Sequence, residues 1–338
     1  MNKKLGKQSV MFENKLTITS CSSVVGKKEG EGPLGGLFDE VHEDAMLGKK
    51  SWEQAEGEFL KKALEKATEK AKLTQSDIEY VLAGDLMNQS TSSSFVLRDM
   101  PVPFFGIFGA CSAFGEGLGL GSMIVDGGFA KHVLVGASSH FCAAEKQFRF
   151  PLELGGQRPL TSTWTVTGSG AAVVSLGGEG PYVRGITTGR ILDMGIKDMN
   201  NMGAAMAPAA ADTLCAHLRE FGRSPDYYDV IATGDLGYVG KDLVIKLMAE
   251  QGYSLSNNYT DCGIEIYDRQ AQDTHSGGSG CACSAATFSA LYYPKLVSGE
   301  IKRMLIIPTG ALANQMTSQQ GETIPGIAHA VVIEGAWA

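Results

Sequence analysis

Cys111 stands in the run Gly109-Ala110-Cys111-Ser112-Ala113, where small neighbours open a tightly packed helix. A cysteine at a helix start meets unpaired backbone N–H groups and the positive end of the helix dipole, which favour thiolate over thiol and make a nucleophile. The same N–H groups bind a carboxylate without any covalent step. A buried cysteine also serves simply as a small packing residue.

Arg149 sits in Gln147-Phe148-Arg149-Phe150-Pro151, where flanking aromatics hold a guanidinium ready to take a carboxylate through two parallel hydrogen bonds. The plain alternative is a solvated surface arginine. His140, after Ser138-Ser139, is placed to donate to a carboxylate or to act as a hydrogen-bonded structural residue. Asp85 and Asn88 follow an apolar strand in Gly84-Asp85-Leu86-Met87-Asn88, where they face a ligand or fix the turn. Metal chemistry finds less support: Cys281 and Cys283 are one residue apart and lack the second pair of a tetrahedral zinc site. The glycines of 115–121 carry no Walker lysine and no dinucleotide fingerprint, so they read as helix-packing positions.

Positioning these groups falls to an internal repeat. Trp52 to Lys72 carries apolar residues at helical spacing, Thr74 and Asp77 cap a short turn, and Ile78 to Ala83 forms a strand ending in Gly84-Asp85-Leu86. The order recurs as a helix over Ala204 to Arg219, a start signal at Ser224-Pro225, a strand over Val230 to Thr233, then Gly234-Asp235-Leu236. The small-residue helix from Phe108 through Ile124 and the strand Lys131 to Gly136 have counterparts in Cys281 to Leu296 and Arg303 to Ile307. The turn Gly168-Ser169-Gly170-Ala171 leads into a strand at Val173-Val174, and Gly326 to His329 leads into Val331-Val332-Ile333. Two such units predict a layered α/β protein with central strands buried on both faces. The halves are 1–178 and 179–338, divided in the Gly- and Pro-rich stretch Leu176 to Arg184. Residues 139–167 form an insertion without a counterpart of equal length, a usual place for binding.

The 338 residues are 43% hydrophobic and 20% charged, with a net charge of -8. That suffices for a large core, and the acidic balance offers no field for a nucleic acid backbone, so no nucleic acid partner is expected. Met1-Asn2-Lys3-Lys4 runs into polar residues, and no later stretch reaches a membrane span, so a cytoplasmic protein with peripheral membrane contact at most is expected. Seven scattered cysteines fit free thiols in a reducing compartment.

The duplicated layout, with Gly-Ala-Cys-Ser-Ala at a helix start, resembles the thiolase superfamily over nearly the whole chain. The resemblance implies a five-layer α-β-α-β-α fold of two similar halves. In those enzymes the nucleophilic cysteine holds the place of Cys111, and a histidine base sits in a Gly-His-Pro turn before the second-half helix. Here that turn reads Gly277-Gly278-Ser279-Gly280, with Gly278 in the histidine position. His275 precedes the turn and His329 falls near the last glycine turn, and neither matches the motif. An acyl-CoA condensing enzyme using Cys111 is therefore the second expectation.

Glu31-Gly32-Pro33-Leu34-Gly35, Asp126-Gly127-Gly128-Phe129-Ala130-Lys131 and the alanine-rich run Ala204 to Asp212 resemble the stage V sporulation protein AD family more than any thiolase. That resemblance implies a non-enzymatic protein that binds dipicolinic acid (pyridine-2,6-dicarboxylate), with no cofactor beyond calcium as a companion of the bound acid. It implies partners among the other membrane proteins of a sporulation assembly, on the cytoplasmic side of the forespore or spore inner membrane. Thiolase relatives further suggest a homodimer through the edge of the first-half sheet. A flat dianion needs a fixed cation, neutral donors and an apolar wall. Asp85, Asn88, Cys111, His140 and Arg149 are the residues expected to supply them.

Overall fold

The structure, a computed structural model, describes residues 3–148 and 157–336. The first half contributes β1 (Leu16–Gly26), β2 (Tyr80–Gly84), β3 (Phe104–Gly106), β4 (His132–Ser139) and β5 (Gly168–Leu176). The second contributes β6 (Tyr182–Thr187), β7 (Val230–Thr233), β8 (Tyr259–Asp261), β9 (Arg303–Ile307) and β10 (Ala330–Glu334). Their spatial orders are β3-β2-β4-β5-β1 and β8-β7-β9-β10-β6, the same arrangement twice. The two sets meet where β1 and β6 pair at Thr17 and Tyr182. In both, the first, fifth and fourth strands are mutually antiparallel neighbours, and the fourth, second and third are parallel.

Parallel neighbours need crossovers, and helices supply them. In the first half these are α1 (Trp52–Lys70), α2 (Thr91–Leu97) and α3 (Ala113–Asp126), followed by α4 (Phe141–Phe148) in the insertion. Their second-half equivalents are α5 (Met202–Phe221), α6 (Gly237–Glu250) and α7 (Cys281–Thr287). The last runs on through a π-helical turn, Phe288–Tyr292, into Tyr293–Ser298, where Pro294 lacks the N–H that a regular helix would use. The expected cap at Thr74 is present as a reciprocal box with Asp77.

Alternation along the strands sorts the core into three parts. On β9, Met304 and Ile306 face a central core shared with α3 and α7, while Leu305 and Ile307 face the outer core of α5. On β4, Val133 and Val135 point to the centre and Leu134 points out to Phe59, Leu60 and Leu64 of α1. Both sheets are therefore covered on both faces, with helices outside, between and outside: the five-layer arrangement. Two local expectations are corrected: Gly326–Ala328, read as a turn, is a short strand paired with Thr309–Ala311, and the first-half glycine run differs too. Gly168-Ser169-Gly170-Ala171 is no turn but the start of β5, and its small residues let the backbone of α7 lie against the sheet. Among the described residues no helix is long and apolar enough to cross a membrane.

Candidate functional site

Cys111 lies in the turn between β3 and α3, two residues ahead of Ala113, rather than within the helix. Ala110 before it has a φ of +48°, a left-handed conformation uncommon for a residue with a Cβ. The Ala110 carbonyl accepts from Ala113 N–H at 3.1 Å and from the Cys281 thiol at 3.0 Å. The second half clamps this turn: a Cβ at Gly310 would stand 2.1 Å from the Gly109 carbonyl oxygen. In the second half the run Ala282-Cys283-Ser284-Ala285 repeats Ala110-Cys111-Ser112-Ala113, but Cys283 is the third residue of α7, buried and directed to the Gly234 carbonyl at 3.4 Å. The two motifs thus differ in register against their helices.

Cys111 opens into a cleft between the halves. Leu86, Phe148, Met199, Met202 and Met206 supply an apolar wall, while Thr163, Thr165, Ser279, Glu145 and Asp235 supply polar groups. Counting the open solvent at its mouth, the cleft encloses about 540 Å³ of empty space. Its walls have simple causes. Trp164–Thr165 pairs in parallel with Gly278–Ser279, which places Thr163, Thr165 and Ser279 on the lining. Trp164 itself stacks on Phe141 at 3.8 Å and anchors α4, whose Ala144, Glu145 and Phe148 also line the cleft. The described parts of the 139–167 insertion therefore build one wall.

Asp235 governs the electrostatics. It is buried, its Oδ1 accepts from Thr309 Oγ1 at 2.7 Å, its Oδ2 accepts from Gly280 N–H at 3.1 Å, and the Cys111 thiol lies against it. Burial nonetheless raises its carboxyl to about 6. Burial first, and the neighbouring Asp235 charge next, push the Cys111 thiol well above the ordinary thiol range. That outweighs any gain from the helix start, so the cysteine is a neutral thiol. Among the described lining residues there is no histidine to act as general base. Iodoacetamide at pH 7 is accordingly expected to leave Cys111 unmodified while it labels a free thiol control, with peptide mass spectrometry as the readout; rapid labelling of Cys111 would contradict the neutral thiol.

Of the residues expected at the site, Cys111 lines the cleft. Asp85 does not: its Oδ1 accepts from Met87 N–H at 2.8 Å, and its Oδ2 accepts from Ser93 N–H at 2.8 Å and Ser93 Oγ–H at 2.7 Å. The carboxylate is committed to the turn and the start of α2. Asn88 lies in a separate groove between α1 and α2, where it exchanges hydrogen bonds with Gln147. His140 is a buried structural residue: Nδ1 accepts from Cys142 N–H at 3.2 Å, leaving Nε2 to donate to the Ala45 carbonyl at 3.1 Å. Burial lowers its pKa and keeps it neutral. Arg149, which follows Phe148 directly, lies outside the described residues. Sequence reasoning passed over Asp235, taken as a turn twin of Asp85, although the repeat had flagged it. Nothing in the sequence marked Met199, Met202 and Met206.

Several solved proteins are similar in shape. A tetronic acid condensing enzyme matches with a TM-score of 0.60 at 16% identity, covering 94% of this chain and 99% of its own. OleA of Xanthomonas campestris gives 0.60 at 14% identity, with 96% and 99% covered. The 3-oxoacyl-[acyl-carrier-protein] synthase III of Aquifex aeolicus gives 0.53 at 14%, with 98% and 99% covered. At these identities the likeness shows the fold, which is the thiolase fold. Sequence reaches further. The stage V sporulation protein AD of Bacillus subtilis (strain 168) is 45% identical over 331 residues, 98% of either chain. The family model for stage V sporulation protein AD matches residues 6–334. A match over nearly the full length, on a thiolase fold, means that this chain belongs to the stage V sporulation protein AD family and has a role in sporulation.

Proposed function

We propose that the chain binds dipicolinic acid in the cleft at Cys111, performs no reaction on it, and helps to move it into the developing spore as part of a membrane-associated assembly. The cleft carries the reading, since it joins an apolar wall to neutral donors around a thiol held unreactive. A flat pyridine ring suits a slot walled by Phe148 and methionines. Thr163, Thr165 and Ser279 offer hydroxyl donors to its carboxylates.

Charge is the demanding part. The described lining carries Glu145 and Asp235 and no lysine or arginine. A dianion needs compensation, which Arg149 supplies in this reading, together with calcium chelated by the acid itself. Among the described residues no three His, Cys, Asp or Glu side chains form a metal site, so calcium enters as part of the ligand. The further partners are membrane proteins of the same assembly, at the cytoplasmic face of the forespore or spore inner membrane, and a second copy of the chain. The terminal strand β3, with Phe105 exposed, is an edge on which two copies can pair.

Calorimetric titration with dipicolinate, with and without calcium, tests the proposal. Saturable binding is expected for the wild type and for Cys111→Ala alike, because no covalent bond to Cys111 forms. Absence of binding in both conditions would remove the reading. The second reading, an acyl-CoA condensing enzyme with Cys111 as nucleophile, is favoured by the strained Ala110 ahead of the cysteine. An acyl adduct on Cys111 after incubation with an acyl-CoA would establish it.

A further inference from the structure

How the cleft receives an anion is a separate matter that rests on the binding reading above. A ligand carboxylate beside Cys111 meets the Asp235 carboxylate, which lines the cleft and is 1% exposed. Two like charges a few ångström apart in a water-poor site do not both stay ionised. Asp235 is not free to swing away. Thr309 and Gly280 hold its two oxygens, and both donors sit on short paired strands or directly beside one, Thr309–Ala311 and Gly278–Ser279. No cation of the described lining offsets the repulsion. A proton on Asp235 does, and it turns an acceptor into a donor.

We propose that Asp235 recognises the ligand as a carboxylic acid, its proton lying in a hydrogen bond to the ligand carboxylate, so that binding the dianion takes up one proton from solvent. One O–H bond forms on Asp235, the buffer acid gives up that proton, and no bond of the ligand breaks. The resulting contact is charge-assisted and short. It makes a free carboxylate on the ligand a requirement, and it makes Asp235 the residue that reads it.

The groups facing Asp235 come from several elements. They are Cys111 from the β3–α3 turn, Glu145 from α4, Cys281 and Cys283 from α7, Asp261 at the end of β8 and Cys262 just after it. Burial keeps these four thiols protonated. Asp261 is held by the Thr233 hydroxyl and the N–H groups of Leu236, Gly237 and Gly263, and it does not line the cleft. Asp235 itself titrates at about 6, close enough to neutrality for a ligand to draw the proton in. Above that pH the free carboxyl is ionised, so affinity falls by up to about tenfold per pH unit as pH rises, while proton uptake approaches one. At lower pH the acid is already protonated and uptake fades.

The test is dipicolinate calorimetry at pH 7.5 in buffers of different ionisation enthalpy, which counts protons, on the wild type, Asp235→Asn and Glu145→Gln. The wild type and Glu145→Gln are expected to take up close to one proton. Asp235→Asn keeps an acceptor for Gly280 and gains a permanent donor, so it is expected to bind with no uptake and with affinity independent of pH between 6.5 and 8.5. Dipicolinate binding without proton uptake in the wild type, or uptake that persists in Asp235→Asn, would overturn the assignment while leaving dipicolinate as the ligand. No heat from any of the three proteins would remove both. If Asp235→Asn does not fold by circular dichroism, Thr309→Val replaces it. Loss of that hydrogen bond raises the Asp235 pKa, so the onset of uptake should move to higher pH, and an unmoved onset counts against the role.

Discussion

Adding a single methyl group at Gly170 is expected to destabilise the protein by about 3 kcal/mol. Gly170 lies within β5, paired with Ser23 of β1 on one side and Ala137 of β4 on the other. A Cβ there would come within 2.3 Å of the Ala285 carbonyl carbon and 2.7 Å of Ala286 N, both backbone atoms of α7. Side chains can rotate out of such a contact, but the backbone of a central helix clamped between two sheets cannot. Relief requires moving α7 off the sheet, and α7 begins beside the cleft, at Gly280 and Cys281. Gly36→Ala is the control, since nothing stands within 4 Å of a Cβ at that position; it should change stability by no more than about 0.5 kcal/mol. Urea unfolding of the three proteins gives the comparison. Equal midpoints for Gly170→Ala and the wild type would mean that the close approach of helix and strand is not required.

Arg149→Ala is expected to weaken dipicolinate binding by about 2 to 5 kcal/mol, and Arg149→Lys by less. The described lining holds two carboxylates and no cation, so a dianion there depends on positive charge from elsewhere. Arg149 is one residue beyond Phe148, which forms part of the lining. A guanidinium offers two parallel hydrogen bonds to a carboxylate, and truncation leaves that anion uncompensated. Lysine restores the charge without the fork. Titration of all three proteins at fixed ionic strength, with circular dichroism to confirm folding, decides the point. Unchanged affinity in Arg149→Ala without calcium would remove Arg149 from the site.

The duplicated architecture was legible in the amino-acid order because it depends on local pattern. Val230 to Thr233 and Arg303 to Ile307 are strands with the same bounds in sequence and structure. The helix read over Ala204 to Arg219 runs from Met202 to Phe221. Apolar runs, caps and glycine turns act over a few residues, so they can be read in order along the chain. The turn misread at Gly168 shows the limit, because small residues there answer to a helix more than a hundred positions away rather than to their neighbours.

The site was decided otherwise. Gly84-Asp85-Leu86 and Gly234-Asp235-Leu236 are the same tripeptide after corresponding strands, so the tripeptide itself does not separate them. Asp85 finds Ser93 eight positions on and is consumed within its own half. Asp235 is bound by Gly280 and Thr309, 45 and 74 positions on, and with them faces Cys111 of the other half across the cleft. Sequence alone determined that there would be two such turns, a duplicated order of strands and helices, and a cysteine in the opening of a small-residue helix. Which aspartate meets that cysteine depended on contacts made only when the halves pack, since a carboxylate takes its role from the donors that reach it and these are distant in the chain.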